Sequence, residues 1–512
     1  MSLPNIAQMS VEELLQLNPA LAALIAQKDN AIKHRDLKIA QLTHEMATLK
    51  RWTFGKRSEQ ISAVQQSLLE EAIGEDLEAI TLELEALAPT APERVRGTPK
   101  RVALPRELPR IEIRHEPDST ICGCGCALRR IGEDVSEKLD YFPGVMQVER
   151  HIRGKWACER CETLIQAPVP PQVIDKGIPT AGLLAQVLVA KYADHLPLYR
   201  QEQIFGRTGV AIPRSTLAQW VGACGVKLEP LRELMKTLLL KRSVLHADET
   251  PMLKPGLKKT HRSYLWAYGT TAFDTEQMVV YDFAEGRSGQ HARSFLKDWR
   301  GSLVCDDYQG YDALFRDGVI EVGCMAHARR KFHALHENLR SEIAIEALEL
   351  FRKLYAVERE AREAQLDVAG RLELRKREAR PIAEALHAWL ERQLTQVPEG
   401  SATAKAILYS LRRWTALTRY LKDGALPIDN NWVENRIRPI ALGRNNWLFA
   451  GSPRAGRRAA VVMSLTQSAK LNGHDPYVYL KDVLERLPLT PEHLLEELLP
   501  HRWKPDTAQR LH

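Results

Sequence analysis

Three acids lie far apart in this 512-residue chain, each in a setting that suits metal chemistry. Asp248 stands in "SVLHADET", at the close of a short β-type run. Two-residue alternation places it on the same face as Val244 and His246. Asp306 follows the apolar run "GSLVCDD". If those runs are neighbouring strands, both carboxylates point to one edge of a sheet. Two hard oxygen ligands held close suit Mg²⁺, which prefers carboxylates, water and substrate phosphate to a full protein cage. The third acid, Glu434, sits in "PIDNNWVENRIRP", where Asp429 is placed to cap a short helix. Asn431, Glu434, Asn435 and Arg438 fall at i, i+3, i+4 and i+7, hence on one face, with amides and arginine aimed at a substrate. A third carboxylate there helps hold two divalent ions, Mg²⁺ or Mn²⁺, beside an anionic phosphodiester. Asp307 follows Asp306 directly, but alternation turns it to the other face, so Asp306 is the expected ligand. Any one of these acids alone is an ordinary strand-end or capping residue; the expectation rests on all three.

A second chemistry is spelled by cysteine. Five of the eight cysteines cluster, as Cys122, Cys124 and Cys126 and as Cys158 and Cys161. In a reducing compartment, paired clusters point to metal before disulfide. Zinc takes four soft ligands in a tetrahedron, and Cys158-x-x-Cys161 supplies two. The first knuckle offers three candidates at spacing two, so its pair stays open, with Cys122 and Cys124 taken as the ligands expected.

Cations mark where an anionic partner would lie. "LYRQEQIFGRTGVAIPRSTLAQWVGAC" reads as a helix, a short turn, and a second helix opened by Arg214, Ser215 and Thr216. That is the cadence of a helix-turn-helix, whose second helix offers its first residues to the major groove. Beyond Glu434, Arg438, Arg444, Arg454, Arg457 and Arg458 surround Trp447 and Phe449. Guanidinium groups suit phosphates and aromatics suit unpaired bases, which makes all of them candidate DNA contacts.

The elements that must position these residues can be read from periodicity. From residue 1 to 60, Ile25, Ile32, Ile39 and Met46 recur every seven residues, with Leu21, Leu42 and Leu49 at the companion position. This pattern favours a parallel two-stranded coiled coil and hence a homodimer. Residues 61–118 read as a helical tail and a Pro/Arg-rich linker. Residues 119–165 form the zinc module and 166–240 the helix-turn-helix region. From 241 to 450, β-type runs alternate with helices, describing an α/β domain with a mixed sheet. About 58 residues separate the first two acids and about 128 the last two. The longer interval reads as helical throughout, so a helical insertion is expected at about 338–425. A C-terminal element, 451–512, closes the chain.

Bulk composition sets bounds. The chain is 44% hydrophobic and 27% charged, with 72 basic against 65 acidic residues and a net charge of +7. That balance permits nucleic acid as a partner without demanding it. No run approaches 18 uncharged apolar residues, so no membrane span is expected. The opening "MSLPNIAQMSVEELLQL" lacks the basic start and apolar run of a signal peptide, so a cytoplasmic protein is expected.

The joint pattern resembles the transposases of the insertion sequence 66 family. The matching stretches run along nearly the whole chain: "LKRWTFGKRSE", "IGEDVSEKLDY", "KYADHLPLYRQE", "HADET", "CDDYQGY", "CMAHARRKF", "PIDNNWVENRIRPIALGRNNWLFAG" and "SLTQSAKLNGHDPYVYL". The resemblance implies a DDE enzyme with a ribonuclease H-like catalytic domain, its triad carried by Asp248, Asp306 and Glu434. It also implies binding to the element's terminal inverted repeats, metal-dependent strand cleavage and strand transfer, a nucleoid-associated location and two small accessory proteins. The competing expectation is a DNA-binding relic without chemistry, and the presence of all three acids argues against it.

Overall fold

The computed structural model describes residues 11–54, 63–87, 104–106, 108–142, 145–174, 177–254, 261–339, 341–447 and 452–505. Helix α1 (Val11–Phe54) carries the heptad pattern and α2 (Ala63–Leu87) packs along it. The heptad positions divide. Leu42 is buried and Ile39, Met46 and Leu49 are half-buried, whereas Ile32 stays exposed. The lower half of the coil pattern is therefore used inside this chain. The side chains of Leu21 and Ile25 lie outside the described residues.

The stretch expected as tail and linker is corrected at both ends. Helix α2 is no tail, because it buries Ala72, Ile73, Ala79 and Ile80. The end of the Pro/Arg-rich segment is strand β1 (Arg110–His115). "RIEIRH" alternates with period two, and the prolines precede it, where they cost no ladder bond at a sheet edge. It pairs parallel with β3 (Val145–Ala157), which forms an antiparallel ribbon with β2 (Arg129–Phe142) and a short pairing with β4 (Leu164–Gln166).

Helices α3 (Ala181–Tyr192), α4 (Leu198–Arg207) and α5 (Arg214–Leu239) follow, with Thr180 capping α3 through the Leu183 amide. Then comes the central sheet: β5 (Val244–Lys254), β6 (His261–Gly269), β7 (Val279–Ala284), α6 (Gly289–Leu296), β8 (Ser302–Cys305), α7 (Asp312–Arg316) and β9 (Ile320–Gly323). Its order is β7-β6-β5-β8-β9, antiparallel across the first three and parallel across the last three. α8 (Met325–Leu339) leads into the expected insertion, which is built of α9 (Glu342–Glu363), α10 (Val368–Leu374), α11 (Arg380–Leu394), α12 (Ala402–Arg412) and α13 (Trp414–Leu417). The chain returns through α14 (Asn431–Trp447), α15 (Pro453–Leu471) and α16 (Pro476–Arg486).

Strand alternation sorts the sheet's side chains into two cores. Leu245, Leu303 and Cys305 join one, together with residues of α3, α5, α15 and α16. Val244, Val304 and Val322 join the other, with Phe332 of α8, Phe351 of α9 and further residues of the insertion. The helical insertion thus covers one face of the sheet instead of standing apart. Likewise α5 and α15 pack on β7, so the expected borders at 240 and 450 run through a single core.

Candidate active site

Strand register explains why the first two acids meet. β5 and β8 run parallel with His246 opposite Val304, and Asp248 and Asp306 each lie two residues further on. Asp248 does not close its strand, as expected from sequence, because β5 continues to Lys254 along β6. It sits where β8 stops pairing, at the mouth opened between the strands. Asp306 accepts the Tyr308 amide at 3.0 Å, while Asp307 is exposed.

Glu434 is brought in by its own neighbours. Asn430 is fully buried, takes His246 Nδ1 at 2.8 Å, donates to the Ala247 carbonyl at 2.9 Å, and gives its backbone amide to Cys324 Sγ at 3.1 Å. Asn430 therefore ties the start of α14 to β5 through its side chain and to the end of β9 through its backbone amide. Asp429 accepts the Asn431 amide at 3.0 Å and the Tyr355 hydroxyl at 2.8 Å, so it steadies the helix start and links it to α9. Glu434 follows one turn later, half-buried, with Arg330 at 2.9 Å.

The three acids influence one another electrostatically, although their oxygens do not all close to within 4.8 Å as the cysteine sulfurs do. Asp248 is pushed well above the usual carboxylate range, by burial first, then by Glu249 and Asp306, with Glu434 adding to the same effect and the Glu249 amide opposing it. Glu249 is also raised, chiefly by burial, although Arg287 pairs with it at 2.6 Å. Among the described residues, no cation pairs with Asp248. Such a cluster is starved of positive charge, and hard divalent cations fit its donor set.

Residues that sequence reasoning passed over complete the surroundings. His327 and Arg330 flank Glu434, and Arg287 and Glu249 flank the Asp306 side. The Cys324-x-x-His327 spacing in "CMAHARRKF" was the available signal. Beside them a cavity of about 710 Å³ opens between α8 and α9, lined among others by Arg329, His336, Arg352, Arg359 and Asn431.

In the small sheet, Cys122, Cys124, Cys158 and Cys161 gather with their sulfurs within 4.8 Å of one another. The pairs Cys122–Cys161 and Cys124–Cys158 approach to 3.1 and 3.6 Å. Cys126 stays outside this group, so the geometry favours Cys122 and Cys124 at the first knuckle. Four thiols closing on one point fit a structural zinc ion.

The candidate DNA contacts separate. Arg214 begins α5 as expected, its backbone amide held by the Glu202 carboxylate at 2.9 Å, with Ser215 exposed and Thr216 half-buried beside it. Arg438 and Arg457 are exposed. Arg454 and Arg458, expected on a DNA face, are turned inward instead. Arg458 pairs with Glu75 at 2.6 Å and Asp76 at 2.9 Å, and Arg454 spans Glu45 and Glu83. They lie four apart on α15, so one helix face meets Glu45 of α1 and Glu75, Asp76 and Glu83 of α2. The side chains of Arg444 and Trp447, and all of Phe449, lie outside the described residues.

Comparison with known proteins gives this arrangement a setting. The family model described as "Transposase IS66 family" matches residues 176–458, more than half of the chain. The chain belongs to the IS66 transposase family. Further family models match residues 119–162 (zinc-finger binding domain of transposase IS66), 464–501 (IS66 C-terminal element) and 41–113 (Transposase C of IS166 homeodomain). Among curated relatives, two proteins of Sinorhizobium fredii, each described as uncharacterized, are y4jD and y4qI. They are 36% and 37% identical over 91% and 95% of this chain, covering 95% and 93% of their own lengths. A third, y4hP, is 32% identical over 92% of the chain and 89% of its own. The chain is thus a transposase with DNA-binding modules: the four-cysteine cluster falls in the matched zinc-finger region, and the acid cluster within the matched transposase region. Among the described residues, no helix is long and apolar enough to cross a membrane.

Proposed function

We propose that this IS66-family transposase binds the terminal inverted repeats of its element, cuts DNA strands there, and transfers the freed 3′ hydroxyls to target DNA. Asp248, Asp306 and Glu434 would hold two divalent ions, Mg²⁺ or Mn²⁺, which when bound activate the attacking oxygen and stabilise the leaving one. The residues' own part is positional. The paired register of β5 and β8 sets two carboxylates side by side, and Asn430 fixes the turn that delivers the third. The observation carrying this reading is geometric: the β5–β8 register takes Asp248 and Asp306 to the same end of the sheet, and Asn430 ties the start of α14, and with it Glu434, to β5.

The ribonuclease H-like reading of the catalytic domain is supported by a sheet of three antiparallel strands followed by two parallel ones, with the first strand central. Arg214, Ser215 and Thr216 would read bases, with Arg438, Arg444 and Arg457 on phosphates. Cys122, Cys124, Cys158 and Cys161 would hold one structural zinc. The exposed Ile32 on α1 supports a homodimer through the upper coil. Two small accessory proteins and a place on the bacterial nucleoid complete the assignment, on the strength of the family.

Purified protein, a labelled element end and Mg²⁺ test this directly. Asp248→Asn, Asp306→Asn and Glu434→Gln should each abolish nicking and strand transfer while end binding survives, because amides keep the shape but bind divalent metal far less well. Nicking that persists in all three variants would overturn the assignment.

A further inference from the structure

The strand-transfer chemistry leaves Cys324 and His327 without a task. β9 ends at Gly323, and the chain turns directly into α8, which brings Cys324 and His327 to the same corner. Cys324, His327 and Glu434 each offer a ligand atom there, all within 4.8 Å of one another. Two polar atoms at this corner are orphans. His327 Nδ1 and Glu434 Oε1 are both buried, face each other at 3.5 Å, and neither has a hydrogen-bond partner. Burying unpaired polar atoms is costly, so such a pair calls for an explanation. Cys324 itself is 1% exposed, and its sulfur already accepts the Asn430 amide, the outer support usual for a coordinating thiolate.

We propose that Cys324, His327 and Glu434 form a second metal site, selective for Zn²⁺-like ions and overlapping the acid cluster at Glu434. Thiolate, imidazole and carboxylate together select a borderline-soft ion over Mg²⁺, and three protein ligands leave a fourth position for water. On coordination the Cys324 thiol proton passes to solvent, and the His327 proton moves from Nδ1 to Nε2, which accepts from Arg330 until that side chain swings away. Arg330, which contacts Nε2 at 3.2 Å and Glu434 at 2.9 Å, has a side chain 56% exposed and can swing outward to make room. The site's existence is independent of the catalytic assignment. Its consequence rests on that assignment: an ion held here occupies Glu434, so zinc inhibits Mg²⁺-dependent cleavage.

Cobalt reports on the site without any cleavage. Full-length protein carrying one equivalent of zinc would be titrated with Co²⁺, with metal analysis verifying that the zinc stays bound. The wild type should take up a further equivalent and develop a thiolate-to-cobalt charge-transfer band. Cys324→Ser should lose the band and His327→Ala should bind cobalt at least tenfold more weakly, both retaining the first zinc and the helical circular dichroism. Cys126→Ser should behave as wild type. Absence of a second equivalent in the wild type, or an unchanged band in Cys324→Ser, would overturn the site. A cobalt site accompanied by cleavage that excess zinc leaves unchanged would overturn the inhibitory overlap. Failure of every form to cleave in Mg²⁺ would count against the catalytic assignment instead, since the cobalt band does not depend on it.

Discussion

Around α2, buried acids are met by buried bases; around Asp248 they are not. Arg458, 4% exposed, holds Glu75 and Asp76, while Lys191 reaches Glu75 at 3.1 Å and Glu71 at 3.4 Å. Burial pushes Glu75 up, but Lys191 and Arg458 outweigh it and hold the carboxylate low. Both cations are raised in turn despite burial, by the acids beside them. α5 makes room for this network with Gly222, against the backbone of Glu75, and Gly225, against the Arg458 side chain; a Cβ at either would collide. At the sheet edge, burial and neighbouring acids act in the same direction on Asp248, and no described cation answers. Around α2, burial still outweighs the cations at Glu71 and Asp76 and raises both, but each acid of that arrangement has a cation of the chain beside it. Asp248 has no such partner among the described residues, the condition under which the proposed divalent ions would be bound.

If that contrast is correct, removing one base from the paired network should cost the most. Arg458→Ala leaves Glu75 and Asp76 uncompensated, and breaking such a buried pair costs about 3–5 kcal/mol. Urea unfolding should show this loss, with α2 the first element to become protease-sensitive. A loss under about 1 kcal/mol would mean that the network does not hold α2.

Next to Arg458, the exposed Arg457 belongs to the surface. Arg457→Ala should leave stability unchanged and flatten the salt dependence of DNA binding, by about 0.9 log units in slope for each phosphate no longer neutralised. Arg214→Ala should instead weaken element ends more than random DNA, by about 1–3 kcal/mol if the arginine pairs with a base in bidentate fashion. Titrations over a salt series with specific and random duplexes separate the two. Equal weakening of both duplexes by Arg214→Ala would move sequence reading from α5 to the zinc module.

The smallest effect concerns the acid cluster without metal. A carboxyl whose folded pKa is raised keeps its proton longer in the native state. Stability is then greatest below the unfolded value and falls as pH rises towards the folded one. Metal-free protein should lose up to about 1.4 kcal/mol for each pH unit in that window. Asp248→Asn should reduce the slope, Glu249 keeping its own share, and saturating Mg²⁺ should oppose it. Thermal melts across pH 4–8 measure this, and an identical slope in wild type and Asp248→Asn would contradict it.

Much of the acid site was legible because strand alternation and equal offsets are local rules. Asp248 and Asp306 each stand two residues past a paired position, and the helical face of Asn431, Glu434, Asn435 and Arg438 follows from spacing. The cysteine quartet was legible for the same reason, except for the choice at the first knuckle, which needed coordinates. What escaped was long-range pairing. "SPRAGRRAA" shows arginines, but only the meeting of α15 with α2 shows that Arg454 and Arg458 turn inward while Arg457 turns out. The alternating acids and leucines of "LLEEAIGEDLEAITLELEAL" carried the complementary signal, legible only with its partner known. Strand β1 was hidden by prolines on its N-terminal side, and Asn430 by the ordinary look of an amide in a turn.

Divalent-ion binding at the acid cluster can be measured without DNA or turnover, by electron paramagnetic resonance of Mn²⁺ added to the zinc-loaded protein. The wild type should bind Mn²⁺ in competition with Mg²⁺. Asp248→Asn, Asp306→Asn and Glu434→Gln should each lose that binding, and Asp307→Asn should keep it. Binding that survives in all three variants, or that disappears in Asp307→Asn but not in Asp306→Asn, would contradict the assignment of the cluster as the metal-holding centre.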